Sequence, residues 1–560
     1  MEDNFLEITE SNLNLLLTSI LSKFTIENKI NTSDSIFTDT NIDEWIIKKT
    51  TTRGGSIVIN HIIKNPINNL SKLIERQKSN FEISKFKLDI IKKTEQDLLW
   101  IMTLKEEIDD DTSMNLLFPS TYLLNKLNNY RTFLDLYHLY KIAFMPITCI
   151  FYPLSIIATP YYYLNKYMYL KLSITKYLGI LFQFLKLLLK PSGNIKKDLL
   201  KLISIIIYIF IYIYSIYQTF LISYIIFKTR QKLLAKIKGL VDFIKTSLIL
   251  IKQSNYIWES YNIYNLTKTD VNNSIKKLEG IKYDMSTIYK LWKDNNYKSS
   301  IIILLKVIYI LDVINTITNL KKDKYWNIPL YITNTNTKIW GIHNPLLPNS
   351  QIANQVNLKK NLIITGVNAG GKTTYVKSIA SNIILAQTFG IINGIKGEIN
   401  IYDAIISFMR VKDEIGSKSY FEAETDCCNR IVKIADEINK NNKKGLFILD
   451  EPMHSTPPIE GMSVAYAIGK YLGKLKGVSV IITTHFHNLI DLEKENFINL
   501  SVNANKYQDK FIFDYKINKG SSKQTIAIEL LKKEKFNDEI INSAIEIKNK
   551  LCNETLRNDN

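Results

Sequence analysis

The spacing of apolar residues changes several times along the chain. Over 1–45 polar residues dominate and the pattern is weak. From Ile42 to about Ile108 apolar positions recur at helical spacing, as in "LIERQKSNFEISKFKLDIIKKTEQDLLWIM", with Lys and Glu on the other face. Between Leu123 and Phe227 the polar face gives way to Ile, Leu, Tyr and Phe. Mixed-charge helical sequence resumes through Leu320, for instance "VNNSIKKLEGIKYDMSTIYKLWK". From Tyr331 onwards the short apolar runs "NLIIT", "GLFIL" and "VSVIITT" alternate with helical segments, each run bounded by turn residues or charges. That alternation predicts an α/β domain with buried strands. The expected layout is an N-terminal segment (1–45), a helical core in two parts (46–120 and 228–335) interrupted by a hydrophobic helical insert (121–227), an α/β domain (336–535), and a C-terminal helix and tail (536–560).

Within the insert, "LISIIIYIFIYIYSIYQTFLISYIIF", Leu202 to Phe227, runs for 26 residues without a charge. As a helix it would be roughly 39 Å long, enough to span a hydrocarbon layer of roughly 30 Å with tilt. Ile142 to Asn165 is also uncharged, but Pro146, Pro153 and Pro160 make it the poorer helix, expected to be kinked or re-entrant. The intervening 166–201 carries eight lysines and one aspartate, which opposes its translocation, since positive charge favours the cytoplasmic side. A membrane hairpin, a single span with an interfacial basic segment, and a very apolar core buried in a dimer are the three readings; membrane association is the favoured one.

Composition narrows this only a little. The 72 Lys+Arg outnumber 53 Asp+Glu for a net charge of +19, which suits nucleic acid or anionic lipid, although the Lys, Asn, Ile and Tyr bias also reads as the product of an AT-rich genome. Cys149, Cys427, Cys428 and Cys552 form neither a disulfide framework nor, with six histidines, metal-ligand spacing; a reducing compartment is expected. The acidic start "MEDNFLEITESN" lacks the order of a secretory signal, so the expected location is intracellular.

The stretch "IITGVNAGGKTTYV" carries the chemistry. Gly366, Gly370 and Gly371 let the loop curl through Val367, Asn368 and Ala369 so that its N–H groups face an anion, and the following helix presents its positive end there. Lys372 reaches the β- and γ-phosphates of a nucleotide, and the Thr373 hydroxyl, followed by Thr374, ligates Mg²⁺. In "LFILDEP", Asp450 ends a strand where it holds the magnesium shell, and Glu451 orients or deprotonates the attacking water beside the metal. "VSVIITTHF" ends in His485, placed to sense the γ-phosphate. ATP and Mg²⁺ are therefore the expected cofactors.

Thr365, Gly366, Asn368, Gly371, Lys372 and Thr373 together resemble the phosphate loop of the MutS-related ATPases, T-G-x-N-x-x-G-K-[ST]. "DEPMHSTPPIEGMSVAYAI" resembles that family's Asp-Glu segment, with Glu460 where an Asp is usual. "TTHFHNL", "HNPLL" and "YKINKGSSKQTIAIELL" resemble its other ATPase elements, and "SKSYFEAE" its segment that supplies a serine to the partner's nucleotide, here Ser419. "TTTRGGSIVINHIIKNPINNLSKLIERQ", with Pro66 and Arg76-Gln77, is similar to the start of the family's helical core. The resemblance implies an ABC-type P-loop ATPase that dimerises to complete two composite sites and acts on duplex or branched DNA through lever helices. Only about 45 residues precede the helical core, and no position matches the family's Phe-x-Glu mispair wedge, so mismatch sensing does not carry over. The alternative is a membrane-anchored ATPase acting on a membrane or protein partner. A transporter half is disfavoured by the missing Leu-Ser-Gly-Gly-Gln element, and a degenerate binding module by intact Lys372, Thr373, Asp450 and Glu451.

Overall fold

The structure is a computed structural model that describes the chain except for residues 1–9, 26–27, 109–115, 192–193, 334–335, 349–350, 368–369, 410–419, 508–509, 523, 525–526, 534 and 559–560. Contacts group the chain into two compact units. One comprises Met1–Leu17, Ile90–Ile249 and Thr267–Leu304; the other comprises Thr18–Asp89, Leu250–Leu266 and Leu305–Asn560.

The second unit is built on a seven-stranded sheet. Its strands are β1 (Asn31–Thr32), β2 (Asn361–Gly366), β3 (Ala404–Phe408), β4 (Gly445–Asp450), β5 (Val478–Thr483), β6 (Phe497–Tyr507) and β7 (Lys510–Lys519), in the spatial order β1-β3-β4-β5-β2-β6-β7. All neighbours are parallel except the antiparallel pair β6–β7. Every residue of β2 and β3 is buried, and β4 and β5 nearly so, which is why these strands read as unbroken apolar runs rather than alternating ones. Helices Tyr420–Lys440 and Pro458–Lys474 pack on the sheet through Cys428, Ile431, Ala435, Ala465 and Leu472. Parallel strands bring their carboxyl ends to one edge, and β2, β4 and β5 end there at Gly366, Asp450 and Thr483.

The N-terminal segment, which looked weakly patterned, contributes structure to this unit. Asn31–Thr32 pairs with Ala404–Ile405 at the sheet edge. Two residues of strand carry no periodicity, so nothing in the local pattern announces them. The helix Arg53–Ile63 packs its Gly54 face against the Tyr309 ring, and Thr52 donates to the buried Asp312 carboxylate through its backbone N–H (2.9 Å) and hydroxyl (2.7 Å). Arg76 is buried, donating to the Ser260 and Thr388 carbonyls at 3.2 and 2.6 Å and lying over the Tyr261 ring. Gln77 donates to Pro329 O at 2.7 Å. Arg76 thus anchors the end of the helix Lys372–Phe389, and Gln77 the chain at Pro329.

The first unit is helical. The stretch 142–165, expected to be the poorer helix, is helical: a π-helical turn at Tyr140–Phe144 leads into the helix Met145–Lys166. Two prolines sit inside it, and the bonds they forfeit are partly replaced by side chains described below. Leu202–Phe227 lies in one helix of 59 residues, Ile195–Gln253. Before Lys228 this helix is mostly exposed; beyond it Leu233, Ile237, Leu240, Val241, Ile244 and Leu248 are buried at helical spacing. Between the two lies the helix Ile174–Leu189. A third helix has the length and composition of a span, Asn295–Lys321, but 83% of its most apolar window is buried within the protein, against 6% for Arg131–Lys166 and none for Ile195–Gln253. Burial makes it a core helix.

Candidate nucleotide site

The loop between β2 and the helix Lys372–Phe389 begins at Gly366, whose φ is +136° and where an added Cβ would stand 2.2 Å from the Val502 carbonyl oxygen of β6. Only glycine satisfies both constraints. The Gly370 N–H donates to Val367 O at 3.2 Å, and Gly371, at φ +96°, opens the helix, accepting from Tyr375 N at 2.9 Å. Asn368 and Ala369 lie outside the described residues. Lys372 is buried and its Nζ donates to the carbonyls of its own loop, Gly366 O at 2.9 Å and Val367 O at 3.3 Å. Burial pulls its pKa below the ordinary lysine value, opposed by the nearby Glu451 and Asp450 carboxylates. Thr373 donates to Asp450 Oδ2 at 2.9 Å, and Thr374 is exposed.

On the adjoining strands, register sets Asp450 beside Thr483 and Thr483 beside Ile364. Thr483 then holds both acidic residues. Its hydroxyl donates to Asp450 Oδ1, and its carbonyl accepts the Glu451 N–H at 3.0 Å. Glu451 and Met453 have φ of +54° and +62°, so the chain turns sharply off β4 and swings the Glu451 side chain towards the loop. There Glu451 Oε1 lies 2.5 Å from His485 Nε2, which is itself 3.4 Å from Lys372 Nζ. The hydrogen bond from His485 holds the Glu451 carboxyl below the usual glutamate range; partial burial works against it. The structure thus brings together Gly366, Val367, Gly370, Gly371, Lys372, Thr373, Asp450, Glu451 and His485. Ser419 lies outside the described residues.

Four supporting residues carry no motif of their own. Thr483 is legible in the sequence only as strand. Glu424, from the helix Tyr420–Lys440, is 2% exposed and accepts from the His454 and Ser455 N–H groups at 3.2 and 3.3 Å and from the Ser455 hydroxyl, tying down the turn after Glu451. Its signal was the "FEAE" that follows Ser419, a carboxylate in an otherwise mixed run. Gln524 pairs both ways with the Ala504 backbone (2.8 and 2.7 Å), and Ser522 N donates to Thr365 Oγ1 at 2.9 Å, holding the chain after β7 against the loop's root.

Residues 362–552 match the family model for MutS domain V. The chain is a MutS-related protein. It is similar to DNA mismatch repair protein MutS of Rhodopirellula baltica, 28% identical over 258 residues, covering 43% of this chain and 28% of that protein. Against the MutS of Clostridium perfringens it is 32% identical over 206 residues, 36% and 22% of the two chains. With that of Petrotoga mobilis it shares 28% over 316 residues, 54% and 38%. The chain therefore spans between a fifth and two-fifths of the length of these relatives. Domain V is the ATPase domain of the MutS family, and the site above is the part of this MutS-related chain that the match covers, with Glu424, Asp450, Glu451 and His485 all inside it.

Proposed function

We propose that this chain binds and hydrolyses MgATP at the Gly366–Thr373 loop, in a P-loop ATPase domain of MutS type. The single observation that carries the reading is the convergence of Lys372, Thr373, Asp450, Glu451 and His485 at the carboxyl edge of β2, β4 and β5. The residues fit the nucleotide. Thr373 Oγ1 and Asp450 Oδ2 are already 2.9 Å apart, a hydroxyl and a carboxylate of the kind that share a magnesium shell. Bound magnesium would neutralise charge developing on the phosphates. Gly366 permits the tight backbone approach, and the helix that starts after Gly371 has no side-chain N-cap, which leaves its N-terminal N–H groups for an anion.

In this reading Lys372 leaves its own carbonyls for the β- and γ-phosphates, gaining a charged acceptor in place of two neutral ones. Glu451, kept ionised by His485, accepts the proton of the attacking water, and His485 senses the γ-phosphate from the same position. Ser419 reaches the nucleotide of a second copy, so the working form is a dimer with two composite sites. The dimer acts on DNA, as the relatives' name, DNA mismatch repair protein MutS, suggests, and its net charge of +19 suits phosphate contacts. The test is ATP turnover of the full chain with and without duplex, mismatched and branched DNA. Stimulation by one of these supports the reading; turnover indifferent to all DNA removes DNA from it.

A second reading has its own observation. Two long helices of the insert expose apolar residues along their whole charge-free length, which favours a membrane-anchored form of the same ATPase.

A further inference from the structure

We propose that residues 142–165 and 202–227 form an antiparallel two-helix hairpin that crosses a lipid bilayer, leaving 167–200 on the face opposite the ATPase. The inference rests on the membrane-anchored reading and fixes its topology.

The first observation is register. Ser223 Oγ donates to Ile142 O at 2.7 Å, Cys149 Sγ is 3.9 Å from Ser215 Oγ, and Tyr212 OH donates to Ile150 O at 3.0 Å. These pairs run the helices antiparallel at a nearly constant offset. By that offset 202–227 faces about residues 138–160, so the two charge-free segments are displaced by about one turn and overlap over about 142–160. The shared charge-free band is roughly 28 Å high at 1.5 Å per residue. The segments' 24 and 26 residues rise roughly 36 and 39 Å, so each covers a hydrocarbon layer of roughly 30 Å and its remaining length reaches the headgroup region. A charge-free band shared by both helices over about the thickness of the hydrocarbon layer is what a bilayer requires.

The second observation is how the backbone is satisfied. A proline inside a helix leaves the carbonyl four residues earlier without its N–H. Pro146 frees Ile142 O, which takes Ser223 Oγ from the long helix. Pro153 frees Cys149 O, which takes Tyr212 OH at 3.1 Å, again from the long helix. Near Pro160, Tyr177 OH from the helix Ile174–Leu189 donates to Ile157 O at 2.8 Å. The other serine and threonine hydroxyls of the two segments fold back onto their own helices: Thr148, Ser155, Thr159, Ser204, Ser215 and Thr219 each donate to a carbonyl three or four residues earlier. On a face open to water such carbonyls need no protein donor. In hydrocarbon they do, and for Ile142 O and Cys149 O the hairpin supplies them from within. What remains outward is apolar or tyrosine: Phe151, Leu154, Ile156, Ile206, Phe210 and Ile213 are each more than half exposed.

The lysine-rich connection, which opposed a hairpin on sequence grounds, is balanced by the other side. Lys126, Arg131 and Lys141 precede the first segment, and six more basic residues lie between Lys228 and Lys245: nine against the eight of 166–201. The charge bias that orients spans is therefore nearly neutral here. A hairpin also returns both flanks to one side, so neither the helical core nor the ATPase is divided.

The test uses the unaltered full chain in sealed vesicles, with the ATPase outermost as judged by trypsin. An impermeant amine reagent is applied before and after detergent, lysines are mapped by peptide mass spectrometry, and parallel membranes are washed with alkaline carbonate. The expected result is a carbonate-resistant chain in which Lys171, Lys176, Lys186 and Lys190 are labelled only after detergent, while Lys360 and Lys474 are labelled throughout. A resistant chain with all of these labelled before detergent overturns the hairpin and leaves an interfacial attachment. Release by carbonate overturns the membrane-anchored reading itself and leaves a second copy of the chain to cover these helices.

Discussion

Replacing Glu451 with Gln should separate holding ATP from splitting it. The amide has nearly the carboxylate's shape, and the contact that positions residue 451, its N–H on Thr483 O at 3.0 Å, is made by the backbone and survives. His485 retains an oxygen to bond at the position of Glu451 Oε1. What disappears is the ability to take a proton, because an amide is not a base at neutral pH. General-base assistance contributes at least about 10², so the barrier should rise by about 2.7 kcal/mol. Lys372, Thr373 and Asp450 are untouched, so nucleotide binding should be preserved. The assay is single-turnover hydrolysis of labelled ATP with magnesium, read beside equilibrium binding on the same preparation. E451Q that hydrolyses ATP at nearly the parent rate would refute the assignment of the base. E451Q that fails to bind ATP would instead show that the carboxylate supports the site rather than the chemistry.

Other substitutions probe the remaining parts. Thr483→Val keeps the shape but removes the hydroxyl from Asp450; losing a hydrogen bond to a charged group costs about 1.5–3 kcal/mol, and magnesium-dependent turnover should fall by about tenfold or more. Glu424→Gln should loosen the His454–Ser455 turn, lowering turnover measured by phosphate release while ATP binding persists. Because His485 holds the Glu451 pKa below its ordinary 4.5, the ionised form is favoured in the folded state: that stabilisation is complete above pH 4.5 and is lost as pH falls through the depressed folded value. His485→Ala should therefore move the acid limb of the turnover profile to higher pH. Gly54→Ala would set a methyl 2.1 Å from the buried Tyr309 ring, and overpacking of about 1–3 kcal/mol should lower the thermal midpoint by calorimetry despite the better helix propensity of Ala.

The family was legible because its signature is local. Thr365 to Thr373 occupy one strand, one loop and one helix end, and the buried parallel strands leave apolar runs that need no partner to be recognised. Thr483 and Glu424 were not legible, because their importance arises from register and from a helix crossing the Ser455 turn, contacts that span 31 to 33 residues of chain. What supports the proline-bearing helix was not legible for a related reason. Prolines lower helix propensity where they stand, but the donors that rescue Ile142 O and Cys149 O come from Ser223 and Tyr212, more than sixty residues away. The strand Asn31–Thr32 is too short to carry a period at all. The helix Asn295–Lys321 makes the converse point: its composition matches that of a span, and only its burial distinguishes it.

The central claim, that the loop after β2 holds MgATP, is tested most directly by equilibrium binding of labelled ATP to the purified full chain, compared with Gly366→Ala. The account predicts one nucleotide bound per chain in the presence of magnesium. It predicts loss of that nucleotide in the variant, whose new methyl would stand 2.2 Å from Val502 O, with circular dichroism unchanged. A parent chain that binds no ATP, or a folded variant that binds it equally well, would contradict the account.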